Sequence, residues 1–176
     1  MVQNYGINNV VRIAEHCNIN NCIFLFHGNN NTIIIGERVK MNGVTFWIED
    51  NNNVIEIGRD CTFEDGTQLA ACEGKKIIIG DDCMFSNKIS VRTTDSHSIL
   101  NSEGNRINHA RDVNIGNHVW IGLQSIILKG ATICDNSIIA ARSVISSSTI
   151  GEPNSILAGQ TAKVIRRNIN WCRERI

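Results

Sequence analysis

The stretch IGNHVWIGLQSIILKGATICDNSIIAARSVISSST, Ile115 to Thr149, places an isoleucine at every sixth position: Ile115, Ile121, Ile127, Ile133, Ile139 and Ile145. Four residues after each stands a small or β-branched residue, Val119, Ser125, Ala131, Ser137, Ser143 and Thr149. Helices repeat near 3.6 residues and simple strands near 2, so neither explains an unbroken period of six. A prism-shaped coil does. Each hexad forms one flat β face and a turn, with the aliphatic residue pointing inward and the small residue packing inside near the corner. Three hexads close a coil, and coils stack at the strand spacing of about 4.8 Å. The pattern predicts an all-β chain wound as a parallel β-helix.

Upstream the repeat lengthens. Ile13-Ala14, Ile35-Gly36, Ile57-Gly58 and Ile79-Gly80 recur 22 residues apart, and Cys17, Val39, Cys61 and Cys83 take the inward small-residue position. These are coils of three hexads with a four-residue extension at one corner. The runs Asn29-Asn30-Asn31 and Asn51-Asn52-Asn53 share one phase of that period, ahead of expected strands at Thr32–Ile35 and Val54–Ile57. Asparagine tolerates left-handed backbone and bonds neighbouring backbone groups, so these runs are expected to build a repeated corner.

One solenoid accounts for the whole chain, so residues 1–176 are expected to form a single domain. The 17 basic and 17 acidic residues cancel, which leaves no excess to neutralise phosphates and argues against nucleic-acid binding. The start, Met1-Val2-Gln3-Asn4-Tyr5-Gly6, lacks a basic region and an apolar core, and no run reaches the ~18 apolar residues of a membrane span. A cytoplasmic location is expected. Seven cysteines without a CxxC pair read as reduced thiols packing as small hydrophobes. The single proline, Pro153, falls where the hexads fail. Proline cannot donate to a ladder, so the solenoid is expected to close near residue 160, with residues 160–176 capping its open end.

One interruption stands out. Gly80 to Gly116 spans 36 residues, 14 more than the local period, and the surplus lies at about 100–112 in a polar, glycine-containing segment. A loop ejected from a regular solenoid is a usual place for function. It follows Thr93-Thr94-Asp95-Ser96-His97-Ser98-Ile99.

Taken together, the hexads, the looped-out insertion, Asp95-Ser96-His97, Asn117-His118-Val119-Trp120-Ile121-Gly122 and the ending Asn154 to Ile165 resemble the hexapeptide-repeat O-acetyltransferases. That family includes maltose and galactoside acetyltransferases and enzymes that acetylate capsule, lipopolysaccharide or sialic-acid residues. The likeness is strongest over residues 79–170, and Thr94 to Ile99 looks closest to the surface-polysaccharide branch. The resemblance implies a left-handed β-helix, a homotrimer with sites between subunits, acetyl-CoA as acyl donor and a sugar or polysaccharide hydroxyl as acceptor. No metal is expected.

The same resemblance assigns residues. Histidine titrates near working pH, and His97 matches the general base that takes the acceptor's proton. Asp95 would orient that imidazole or bind acceptor. Trp120 would line the site against acceptor or cofactor. Leu123 and Ala141 would offer backbone groups to the pantetheine arm, and Lys163 and Arg166 would meet the CoA phosphates. Thr161 stands where the family usually has proline, and Ser147 replaces a frequent lysine. Arg92, Asn87, Glu64 and Asp65 lie in coils just before His97 and are candidates to face the sugar, Arg92 suiting a carboxylated one. His109 is a candidate to reach a neighbouring site. His118 is expected to be solvated at a turn, and His16 and His27 to be structural.

Three other classes share this scaffold. A γ-type carbonic anhydrase needs histidines at about i and i+5, whereas His109 and His118 are nine apart. An N-acetyltransferase on an amino sugar or nucleotide sugar uses the same donor and base. A non-catalytic scaffold has no reason to combine His97, Trp120 and a Lys163-type tail. The expected reaction is direct transfer through a ternary complex, without an acyl-enzyme.

Overall fold

The computed structural model describes all 176 residues and consists of strands, turns and loops, with no helix. Its strands stack into three parallel sheets, the faces of a left-handed β-helix of about seven turns. The first face comprises Val2–Asn4, Ile23–His27, Thr45–Glu49, Gln68–Ala71, Ser90–Arg92, Ile126–Ile127 and Val144–Ile145. Val10–Ile13, Thr32–Ile35, Val54–Ile57, Lys76–Ile79, Val113–Ile115 and Thr132–Ile133 make the second. The third runs from Asn18–Asn20 through Lys40–Asn42, Thr62–Phe63, Met84–Phe85, Trp120–Ile121 and Ile138–Ile139 to Ser155–Gly159. The expected strands at Thr32–Ile35 and Val54–Ile57 form with those bounds.

The interior follows from the period. All six isoleucines of the Ile115–Ile145 series are buried, as are Val119, Ser125, Ala131, Ser137 and Ser143. In-register pairing places like above like: Phe63 on Phe85 on Ile121 on Ile139 on Leu157. Phe63 and Phe85 stack with ring centroids 4.3 Å apart, and Phe24 and Phe46 at 4.7 Å. Each such aromatic pair adds about 0.5–1.5 kcal/mol beyond its burial. Cys61 and Cys83 are fully buried free thiols, so they pack as small hydrophobes.

The asparagine runs are architecture. At the corner between first and second faces, the Asn9 side chain accepts from the Asn31 amide (2.9 Å), Asn31 from Asn53 (2.8 Å) and Asn53 from Lys75 (3.1 Å). Asn31 and Asn53 are fully buried, and Asn30 and Asn52 take left-handed backbone at φ 58 and 63. The insertion leaves the solenoid at this same corner, between Arg92 and Val113, where the ladder of asparagines has ended.

The C-terminal segment differs from a simple plug. Ala162–Arg167 turns back antiparallel on Ser155–Gly159 and extends the third face. Residues 168–176 then run along the outside of the solenoid. Buried Trp171 stacks on His118 at 4.1 Å, and Arg173 reaches Thr62, Asp82 and the Cys83 carbonyl. His118 is therefore held between Asp82 (2.6 Å) and the Trp171 carbonyl (3.0 Å), not merely solvated at a turn. No helix is long and apolar enough to cross a membrane.

Candidate active site

Sheet register builds a notch. Trp47, Ala70 and Arg92 are consecutive partners on the outer side of the first face. The small Ala70 between two large side chains leaves a gap, and Glu49, Gln68, Cys72, Thr94, Ser96 and His97 complete its walls. The resulting cleft holds about 430 Å³. Of the residues expected at a site, His97 and Arg92 line it.

His97 sits where the chain leaves the solenoid, after Ser96 in left-handed backbone at φ 67. Its main chain is tied on both sides: its N–H donates to the Asp95 carbonyl (2.8 Å), and its carbonyl accepts from Asn108 Nδ2 (2.8 Å). The exposed imidazole engages no group of its own chain.

Insertion and solenoid brace that tie. Asn108, nearly buried, also donates to Asp95 Oδ2 (2.9 Å) and accepts from the Ile99 amide (2.7 Å). Lys129 bonds Asp95 Oδ2 (2.5 Å) and the Asn108 carbonyl (2.8 Å). The Asp95 carboxylate thus faces Lys129 and Asn108, and those two bonds hold its pKa below the usual carboxylate range. Arg106 grips Glu73 with two bonds of 2.7 and 2.8 Å, and Thr94 Oγ1 donates to the same carboxylate. The Arg106 guanidinium first, then Thr94, pulls Glu73 down to about 2.

Cys72 shares the cleft with His97. Burial first, then the charges of Glu49 and Asp50, pushes its thiol up to about 11. It remains protonated at neutral pH, the opposite of an activated nucleophile.

A second group of expected residues lies elsewhere on the chain. Trp120, 36% exposed, stands on the third face, tilted against Trp171 at 6.2 Å. Leu123 and Ala141 occupy consecutive coils at the corner from third face to first. Their backbone N–H groups have no acceptor in the chain, although the flanking amides do: Gly122 to Ile139, Gln124 to Asn87, Ala140 to Leu157 and Arg142 to Leu123. At the corner between second and third faces the equivalent amides of Arg59, Asp81 and Asn117 are capped by the side chains of Asp81, Asn117 and Asp135. At the third-to-first corner the matching amides of Asp65 and Asn87, in the two coils before, are uncapped as well, so open amides run along this corner. Gly122 keeps the Leu123 and Ala141 pair in place, since a Cβ there would meet the Ala141 nitrogen at 2.7 Å. Lys163 and Arg166 lie exposed on the last strand, Lys163 opposite Ala158 and Arg166 opposite Ile156. Asn87, Glu64 and Asp65 sit at the third-to-first corner and do not line the His97 cleft. His109 is exposed on the insertion.

Sequence reading missed the floor of the cleft and its braces. The floor was within reach: Trp47, Ala70 and Arg92 are 23 and 22 residues apart, so the coil period leads back from Arg92 to both. Asn108, Lys129, Arg106 and Glu73 carry no such signal, because the insertion breaks the period that would align them.

Fold and site together define a left-handed β-helix with an exposed histidine at a looped-out corner and a pair of open amides on consecutive coils. The family described as "Bacterial transferase hexapeptide (six repeats)" matches residues 112–147. A polysialic acid O-acetyltransferase of Neisseria meningitidis is 58% identical over 41 residues, 23% of this chain but only 19% of that protein's length. The solved polysialic acid O-acetyltransferase OatWY superposes with TM-score 0.72 and 32% identity, covering 100% of this chain and 93% of that one. The polySia specific acetyltransferase NeuO follows at TM-score 0.70 and 27% identity, covering 99% and 89%. The chain belongs to the hexapeptide-repeat acetyltransferases.

Proposed function

We propose that this protein is an acetyl-CoA-dependent O-acetyltransferase that acetylates a sugar hydroxyl of a surface polysaccharide by direct transfer. The observation that carries this reading is His97, whose main chain is pinned while its imidazole stays free at the rim of a polar cleft. His97 takes the proton of the acceptor hydroxyl as that oxygen attacks the thioester carbonyl. The tetrahedral adduct then expels the CoA thiolate, which recovers the proton from the imidazolium. The protonated Cys72 thiol supports a route without an acyl-enzyme. Arg92 offers a cation to an acidic sugar.

The donor lies along the third-to-first corner, its pantetheine amides bonded to Leu123 and Ala141, with Trp120 beside the arm and Lys163 and Arg166 toward the phosphates. Their open N–H groups fit an acceptor-rich, extended ligand. One chain does not bring this corner together with His97. A homotrimer with sites between subunits would, each pairing one subunit's His97 with its neighbour's Trp120. Such an enzyme works in the cytoplasm, where acetyl-CoA is available.

The experiment is His97→Ala, with acetyl transfer to sialic acid polymers read by mass, acetyl-CoA binding by calorimetry and subunit number by sedimentation. Turnover should fall about 10²–10⁴-fold, with donor affinity and trimer size unchanged. A wild-type rate in the variant would remove His97 from the mechanism.

A further inference from the structure

The cleft does not end at Trp47. His27, expected to be a structural residue without partners, tilts against Trp47 with ring centroids 5.9 Å apart and planes at 42°. On its other side it stacks on Tyr5 at 4.9 Å and 10°. The three rings come from three consecutive coils, on the outer side of the first face and the corner that follows it.

None of this serves the core. Tyr5 is 68% exposed, His27 is exposed and Trp47 half-buried. A row of flat rings in solvent gains little from its own contacts. It gains from a ligand that covers the faces while offering polar edges to the side. At the coil rise of about 4.8 Å, the row spans on the order of 10 Å from Tyr5 to Trp47, room for more than one pyranose ring. Polar side chains flank its inner end, where Glu49, Gln68 and Arg92 surround the notch. Flat apolar faces beside hydrogen-bonding groups are what a sugar chain presents in return.

We propose that Tyr5, His27 and Trp47 form a stacking track that binds the units of an oligosaccharide acceptor beyond the one acetylated at His97, so that a chain is a better acceptor than a free monosaccharide. This rests on the acetyltransferase reading of the His97 cleft and adds to it the length of the acceptor and the residues that measure it.

The test uses the full-length protein and two series of acceptors, oligomers of sialic acid and of galactose, each from monomer to hexamer. Binding is read by tryptophan fluorescence and acetyl transfer by mass. In one series affinity should rise about 2- to 12-fold for each added unit that stacks on a ring, then level off. Tyr5→Ala should abolish the outermost gain and His27→Ala the outer two, with monomer affinity and monomer acetylation unchanged. Affinity independent of length in both series, or the same gain retained in both variants, overturns the track. So does a change in oligomeric state on Tyr5→Ala, which would make the row a subunit contact. Failure of the transferase reading looks different, as acetyl-CoA would neither bind nor be consumed whatever the dependence on acceptor length.

Discussion

Replacing Arg106 with alanine should loosen the segment that presents His97 while leaving the solenoid intact. Arg106 first, with Thr94 and the Ala110 amide behind it, holds the Glu73 carboxyl at about 2 against an ordinary 4.5, a depression of 4.5 − 2, or about 2.5 for all of them together. At about 1.36 kcal/mol per unit, that is a ceiling of roughly 3.4 kcal/mol. Both side chains keep about a quarter of their surface in solvent, 24% and 25%. Screening at such a site reduces the useful part to about 1–2 kcal/mol, a factor of roughly 5–30 in a local opening equilibrium.

The assay is amide hydrogen exchange. The Ile99 and Ile107 amides, bonded to Asn108 and to the Ile99 carbonyl, should exchange faster by that factor. Protection at the Ile121 and Ile139 amides in the stacked core should not change. Turnover should fall, with acetyl-CoA affinity preserved. Because the Glu73 pKa is depressed by folding, its contribution is complete above about 4.5 and is lost as pH falls towards about 2. At pH 3 less than roughly half remains, so wild type and variant should converge on acidification. Equal exchange at neutral pH, or a gap that survives acidification undiminished, would refute the brace.

Leu123→Pro and Ala141→Pro probe the open amides. Each residue precedes a left-handed one, Gln124 at φ 59 and Arg142 at φ 59, in turns closed by Ser125 on Gly122 and Ser143 on Ala140. Proline suits that position of a type II turn, so the fold should hold while acetyl-CoA binds about 2- to 12-fold more weakly per lost bond, as measured by calorimetry. Ala70→Leu should fill the notch between Trp47 and Arg92, raising the KM for acceptor without changing the Kd for acetyl-CoA. Asn31→Leu should cost roughly 2–4 kcal/mol in denaturant unfolding, since it orphans the Asn53 amide and the Asp50 carbonyl that Asn31 now satisfies.

Much of this molecule was legible before folding because a solenoid is close to one-dimensional. Each residue's environment is set by its own position in the repeat and by the residues one coil above and below. Ile115 to Ile145, the asparagine corners and the strands at Thr32–Ile35 and Val54–Ile57 are all consequences of phase. His97 was singled out differently, by the resemblance of Asp95-Ser96-His97 to the hexapeptide-repeat family, although it also lies where the phase breaks. His118 was misread because its partner is not periodic. Trp171 reaches it from 53 residues away, whereas Tyr5 stands one 22-residue period before His27, where the repeat itself could have found it.

By itself, then, the amino-acid order determined the period, the inward residues, the corner chemistry and the point of departure of the insertion, because those depend on spacing along one axis. Tertiary structure alone decided what the insertion touches and where the tail returns. It turned Asp95 toward Lys129 and Asn108, clamped Arg106 on Glu73, and laid Trp171 over His118. Those outcomes rest on contacts between segments that share no repeat, formed by side-chain shape and charge across space, and no periodicity records them.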